Sequence, residues 1–437
     1  MDICDKSQKG FIPGKAGCIE HTAMSNAIIN DAVNNKKTLI IASLDLRDAF
    51  GSIPHQLIER NITSMQFSPE MIRIIMGTYR NASIEIQTRK GFSSQIPIGK
   101  GVKQCCPLHL LLFNVSIDPL LRRLNERFQE MGYEYNNGKV ITAQDYADDL
   151  LIYSRGNEEM KTLMKVVEDY MNYATISFDR SKCKIILNNP QRNHIEKISL
   201  KNENGSYEEV EILELKDALK YLGVPLRTRK LANLRFYNNN IRKVKNLINL
   251  ISCSGLKISQ VIPAIKIFIL PKLDYLMANS VMEMGKLKEL DLFIHGSIHK
   301  LIGGPHLRKS LYYLSWKDWG FGLKSMEERY AVMKLNNTAQ LFLKNDETKE
   351  FAEWIIEEEI KQRKVEWEEN GKYFFNWKFV NGEGIRGKYH SIMAKTYKAA
   401  NKIQIGIKYI EKEDKIKIWN EDTAKMCTLG ETARIIS

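Results

Sequence analysis

The sequence predicts an α+β chain: a mixed helix–strand half followed by a basic, helical half. Three observations carry this. Apolar runs at 38–44, 140–143 and 150–153 are too short for helices and suit buried strands. Helical patterns lie around them, at 18–33, from Pro107 onward and at 157–175. Beyond Arg227 the patterns at 231–251, 259–279 and 286–302 are helical throughout. A chain of 437 residues has room for two or three domains.

In chain order, Gly10 to Gly17 is loop-like, and the 18–33 helix leads through Asn34-Asn35-Lys36-Lys37 into the 38–44 strand. That strand ends in Asp45-Leu46-Arg47-Asp48-Ala49-Phe50. Pro54 opens a helix, and Ser68-Pro69-Glu70 has the N-cap and first-turn pattern of another. Residues 83–88 and 92–98 alternate as strands around Arg89-Lys90-Gly91, a hairpin signal. Pro107 starts a long helix with Leu108, Leu111, Leu112, Val115 and Leu120 on its apolar face. An amphipathic helix at 157–175 precedes a strand at 184–187, and 188–210 is a polar surface excursion.

With 43% apolar residues the chain can form substantial cores. Its net charge of +13 points to a polyanionic partner rather than an acidic small molecule. Of that charge, +11 lies in 227–309, where fifteen Lys or Arg stand against four Asp or Glu. Each such residue meeting a phosphate adds counterion release, so nucleic acid is the expected partner. Seven scattered cysteines argue against a disulfide scaffold, and Cys105, Cys106 and His109 match no zinc spacing. No apolar leader is present, and the most apolar run, 261–270, is interrupted by Pro263 and Lys266. A soluble, intracellular protein is expected. Past Tyr330 the chain is mixed-charge and helical; Trp354, Trp367, Phe374, Phe375 and Trp377 fill a small core or stack on bases.

The chemistry centres on Gln144-Asp145-Tyr146-Ala147-Asp148-Asp149, set between the runs 140–143 and 150–153. Two β-type runs around polar residues predict a hairpin with adjacent carboxylates at its tip. An acidic pair in a solvated turn is by itself common. Asp45 changes the weighting, because a carboxylate ending a buried strand needs an ionic partner or a metal. If that strand lies beside the hairpin, Asp45, Asp148 and Asp149 surround a pair of hard cations such as Mg²⁺. Two metals about 3.5–4 Å apart can activate an attacking oxygen and stabilise a leaving one.

Tyr146-Ala147-Asp148-Asp149 resembles the catalytic turn of reverse transcriptases, and Asp45 with Ala49-Phe50 resembles their first palm motif. Gly101-Val102-Lys103-Gln104-Cys105-Cys106-Pro107-Leu108 is similar to the motif with a glutamine before Pro-Leu. Phe178-Asp179-Arg180-Ser181-Lys182-Cys183 is similar to the lysine-bearing motif, and Tyr221-Leu222-Gly223 to the primer-grip turn. Gln8-Lys9-Gly10-Phe11 with Gly17-Cys18-Ile19-Glu20-His21 narrows the resemblance to the non-LTR retrotransposon branch. Trp316-Lys317-Asp318-Trp319-Gly320 looks like the post-thumb region of elements with a restriction-like endonuclease.

The resemblance implies a right-hand polymerase: partial fingers and palm in 1–226, a basic helical thumb in 227–330, and a helical C-terminal extension in 331–437. Asp45 and Asp148 are implied as direct ligands of two Mg²⁺ (Mn²⁺ in their place), with Asp149 as the supporting carboxylate. Phe50 matches the steric gate under the sugar, against a plain core phenylalanine. Gln104 matches the contact to the incoming nucleotide. Lys182 protonates or neutralises pyrophosphate, Arg47 touches the triphosphate, and Tyr146 joins the substrate-binding set. Asp145 and Asp48 stay solvated or pair with basic neighbours. Arg242, Lys243 and Lys245 face the duplex. The implied partners are an RNA template, a DNA primer or nicked target DNA, and dNTPs, with action in the nucleus. The chain departs from the pattern at Cys105, His109 and Leu110, where the family has Gly, Ser and Pro, and at Asp179, where asparagine is usual. Those departures keep two other readings open: a catalytically impaired nucleic-acid-binding protein, and a maturase-like RNA-folding factor.

Overall fold

The computed structural model describes residues 4–15, 17–103, 106–136, 138–190, 197–201, 206–214, 217–227, 232–303, 307–342, 347–363, 374–375, 405–410, 415–420 and 425–427. The chain divides into two units, one made of Met1–His21, Ile28–Leu222 and Leu226–Thr228, the other of Thr22–Ala27, Gly223–Pro225 and Arg229–Ser437.

The first unit is built on a five-stranded sheet in the order Glu211–Ile212, Lys184–Asn188, Leu39–Asp45, Asp149–Ser154, Ala143–Tyr146. Leu39–Asp45 runs antiparallel to both neighbours, and only the Glu211–Ile212 pairing is parallel. Its nearly continuous apolar sequence, interrupted at Ser43 and closed by Asp45, follows from burial on both faces. Ile40, Ala42 and Leu44 alternate into a core shared with Leu57, Ile58, Leu112, Phe113, Leu163 and Val167. Leu39 and Ile41 point to the other face and are buried as well. The core residues come from the helices His55–Ser64, His109–Arg122 and Asn157–Ala174. Ser68 caps Pro69–Gly77 as its sequence predicts, its hydroxyl accepting from the Met71 amide at 3.2 Å. The predicted hairpin around Arg89-Lys90-Gly91 consists of short exposed pairs, Ser83–Ile84 with Ile96–Pro97 and Gln87–Thr88 with Gly91–Phe92.

The second unit is largely helical. Tyr237, Ile241, Val244 and Ile248 form the apolar stripe of Ala232–Ser252, in one core with Leu287, Leu290, Ile294 and Ile298 of Met284–Ile302. The pattern over 259–279 is helical throughout, but not as one regular α-helix. The segment breaks into Ile258–Ala264, a π turn, a 3₁₀ turn at Leu270–Leu273, and Asp274–Asn279. Pro271 supplies the reason, since it has no amide hydrogen to continue the ladder. The second unit continues with the helices Met326–Phe342 and Glu347–Arg363. It then adds an antiparallel sheet, ordered Phe374–Phe375, Ile405–Ile410, Lys415–Asn420, Lys425–Cys427. Trp354 is buried with its ring 5.3 Å from Phe351, in accord with a core role; Trp367 and Trp377 lie outside the described residues. No described helix is long and apolar enough to cross a membrane.

Candidate active site

The hairpin is tighter than its sequence suggests. Its first strand is Ala143–Tyr146 rather than 140–143, Tyr146 pairs with Asp149, and Ala147 and Asp148 alone make the turn. Lys139–Ile141 belongs instead to a separate ladder with Tyr133–Asn136. The strand extends because Gln144 and Asp145 find partners inside the protein. The Tyr153 hydroxyl donates to Gln144 Oε1, and Gln8 Nε2 donates to Asp145 Oδ2 at 2.6 Å. Asp145, expected to be solvated or paired with a basic side chain, is 1% exposed and bound to an amide. Burial pushes its carboxyl well above the usual range, with the charges of Asp148 and Asp149 adding to the rise. Ala147 carries φ 59°, and positive φ at the first position of a two-residue loop is the II′ pattern that matches strand twist.

Asp45 stands directly opposite Asp149 in the strand register, with Asp148 next in the turn. Three carboxylates thus meet at one end of two central strands. They repel one another: burial first, then Asp148 and Asp45, raise Asp149 to about 6. Asp148 is raised by burial and by Asp45. Lys182 reaches this cluster, its Nζ 3.1 Å from Asp45 Oδ1 and 3.0 Å from Asp179 Oδ2. The loop carrying it is tied down by the Asp179 amide, which donates to the Asp45 carbonyl at 2.8 Å. Bonds to Asp179 and Asp45 raise the Lys182 ammonium above its ordinary value, so it carries its proton at neutral pH.

Phe50 is half-buried, its ring 4.6 Å from Phe113 and 6.0 Å from His109. The segment before Gln104 lies along it, with the Val102 amide donating to the Phe50 carbonyl at 2.8 Å. Gly101 has φ +91°, and a Cβ there would sit 2.8 Å from the Gly51 carbonyl oxygen, so only glycine permits this approach. Gln104 and Cys105 themselves lie outside the described residues. His109 opens the following helix without a side-chain N-cap, and its Nδ1 meets the Cys106 carbonyl. Tyr146 is half-buried, 5.9 Å from the Phe11 ring, and its hydroxyl is pushed up to about 12 by burial and its bond with Cys18.

The family model "Reverse transcriptase (RNA-dependent DNA polymerase)" matches residues 2–226. The chain belongs to the reverse transcriptase family. The Pol polyprotein of the type-2 retrotransposable element R2DM of Drosophila melanogaster is 22% identical over 361 residues, covering 82% of this chain and 33% of that protein. The Pol polyprotein of the type-1 element R2 of Nasonia vitripennis is 25% identical over 373 residues, covering 82% of this chain and 35% of its own. This reverse transcriptase is therefore homologous to the Pol polyproteins of R2 non-LTR retrotransposons, and spans about a third of the length of these relatives. A telomerase structure from Candida tropicalis aligns with 78% of this chain and 52% of its own, at 10% identity and a TM-score of 0.37.

Reverse transcriptases generally use divalent metals. Among the described residues, no three His, Cys, Asp or Glu side chains converge closely enough to enclose an ion unaided. Mg²⁺ takes oxygen ligands, one or two of them carboxylates, with phosphates and water completing its shell. The crowded, mutually repelling carboxylates are the hard oxygen donors such an ion requires.

The remaining residues named by the sequence are distributed more widely. Arg47 is exposed and lines a cavity of about 390 Å³ with Asp179, Arg180 and Ser181. In the second unit Arg242 and Lys243 are exposed on Ala232–Ser252. Lys245 is instead engaged within the unit, 2.6 Å from Glu289 and 5.3 Å from the Phe293 ring. Sequence reasoning passed over Gln8 and Asp145 as parts of the site. The available signal was the polar pair Gln144-Asp145 at strand spacing before the turn, which demands buried partners once the strand is extended.

Proposed function

We propose that the chain performs RNA-templated DNA synthesis, as in target-primed reverse transcription by a non-LTR retrotransposon. The observation that carries this reading is the register of Asp45 against Asp149 with Asp148 at the adjoining turn. The DNA 3′-hydroxyl attacks the α-phosphate of a dNTP, forming the new P–O bond while pyrophosphate leaves. Asp45 and Asp148 would hold two Mg²⁺, and Asp149 would tune charge and orientation behind them. When bound, such ions lower the barrier by polarising the attacking oxygen and neutralising the phosphates. Lys182 turns from Asp45 toward the pyrophosphate and gives it a proton or a compensating charge. Phe50 lies under the sugar, Gln104 and Tyr146 border the incoming nucleotide, and Arg47 meets the triphosphate. Exposed Arg242 and Lys243 contact the duplex phosphates, with an RNA template and a DNA primer or nicked chromosomal DNA as partners and the nucleus as the place of action.

A second reading, nucleic-acid binding without synthesis, draws on His109 and Leu110 and on the uncapped start of their helix. Primer extension on an RNA template with Mg²⁺ or Mn²⁺ separates the two. The parent should extend, and Asp148→Asn should abolish extension while leaving duplex affinity nearly intact. Unchanged extension by that variant removes the carboxylate assignment.

A further inference from the structure

The segment Ser7 to Gly10 lies against the catalytic turn, and one side chain in it makes two bonds to the hairpin and a third to its own segment. Gln8 is 3% exposed. Its Nε2 donates to Asp145 Oδ2 at 2.6 Å, and its Oε1 accepts from the amides of Ala147 at 3.0 Å and Gly10 at 2.7 Å. Backbone bonds frame this contact: the Asp145 amide donates to the Ser7 carbonyl at 2.9 Å, and the Lys9 amide to the Asp145 carbonyl at 3.0 Å.

The segment is itself anchored. Lys9 pairs with Glu20 at 2.5 Å, and the Gly10 carbonyl accepts from Asn114 Nδ2 of His109–Arg122 at 2.8 Å. The approach is so close that a Cβ on Gly10 would lie 2.5 Å from the Ala147 nitrogen and 2.9 Å from the Tyr146 carbonyl carbon. Ala147 occupies a positive φ that a Cβ disfavours, and such a conformation persists only where its surroundings over-determine it. A carboxamide can accept from an amide and donate to a carboxylate with one side chain; leucine does neither and glutamate cannot donate when ionised.

We propose that Gln8 is a positioning residue that sets the Ala147–Asp148 turn and so aims the Asp148 carboxylate at its substrate. This rests on the reading of Asp148 given under the proposed function. Gln8 acts on the reaction only through the turn, so its loss should lower kcat rather than nucleotide or duplex binding. The geometry also specifies a rescue. Exchanging the two groups, in Gln8→Glu with Asp145→Asn, lets the carboxamide introduced on the strand donate to the carboxylate introduced opposite it. That carboxylate still accepts from Ala147 and Gly10.

The experiment uses the full 437-residue chain. Primer extension is measured per active site, and hydrogen exchange of the Ala147 amide supplies a reading independent of activity. In Gln8→Leu, that amide should exchange about tenfold faster, as for the loss of one hydrogen bond. Its kcat should fall about 10²-fold, the scale of a ~1 Å misplacement. KM for dNTP and duplex Kd should stay within about twofold, since no binding contact is removed. Gln8→Glu alone should be at least as impaired, and the exchange variant should recover both readings.

Unaltered exchange and kcat in Gln8→Leu overturn the proposal, as does an exchange variant no better than Gln8→Glu. If Gln8→Leu does not fold, the exchange variant compared with Gln8→Glu decides the same question. Loss of extension in Asp148→Asn beside a fully active Gln8→Leu overturns the positioning role and leaves the proposed function standing. Full extension by Asp148→Asn overturns the function, and amide exchange at Ala147 still judges the contact.

Discussion

Lys182 and Asp45 are ion-paired at 3.1 Å, on a loop and a strand end that the Asp179 amide ties together. The pair keeps the ammonium beside the carboxylates before substrate arrives. Lys182→Ala should slow extension by about 10²–10⁴-fold, the range for a lost proton donor in the transition state. Duplex affinity should be unchanged. Lys182→Arg separates the roles, because arginine keeps the charge and does not give up its proton. Restoration by arginine assigns Lys182 an electrostatic role; equal rates in all three proteins remove it from the site.

Phe50 packs against Phe113 on one side and leaves part of its ring exposed. Phe50→Val should relieve a clash with a 2′-hydroxyl and reduce discrimination against ribonucleotides by about tenfold, a loss of about 1.4 kcal/mol. The measurement is the ratio of kcat/KM for dNTP and rNTP. An unchanged ratio with a lowered melting temperature would place Phe50 in the core alone.

Arg242, Lys243 and Lys245 are neighbours in sequence but have different surroundings. Neutralising Arg242 and Lys243 together should flatten the salt dependence of duplex binding by about two phosphate contacts, a change in log–log slope of ~1.8. Lys245→Met should change it less, because Glu289 already holds that ammonium at 2.6 Å. A larger change from Lys245→Met than from the double variant would reverse the assignment.

Asp291 offers a pH test inside the second unit. Both its oxygens accept from the Met326 amide at 3.0 Å, yet burial dominates and raises its carboxyl from 3.8 to about 6. The folded state therefore holds more protons than the unfolded one between about pH 4 and 6, and this group's contribution to stability falls as pH rises through that window. Asp291→Asn keeps an acceptor for Met326 and removes the charge. Its melting temperature should match the parent near pH 4 and exceed it at pH 7. The same difference at both pH values would show that Asp291 does not titrate there.

Leu39–Asp45, the hairpin and the helices of the second unit were legible in the sequence because each writes its burial as a local period. Leu39–Asp45 is apolar but for Ser43 and the closing Asp45, being covered on both faces, and Ala232–Ser252 carries a stripe at helical spacing. The adjacency of Asp45 to the hairpin was a condition that only strand pairing could satisfy, and the register places it opposite Asp149. Where the first hairpin strand begins was not legible. Gln144 and Asp145 look like turn residues until Tyr153 and Gln8 satisfy them, and Gln8 lies 137 residues from Asp145. Local propensity likewise joined 259–279 into one helix, and in the structure its pitch changes, with a 3₁₀ turn at Leu270–Leu273 around Pro271. Residue type and spacing thus determined the family. Which polar groups are buried was decided by contacts between distant segments. A hydrogen bond across such a separation leaves no period in the chain.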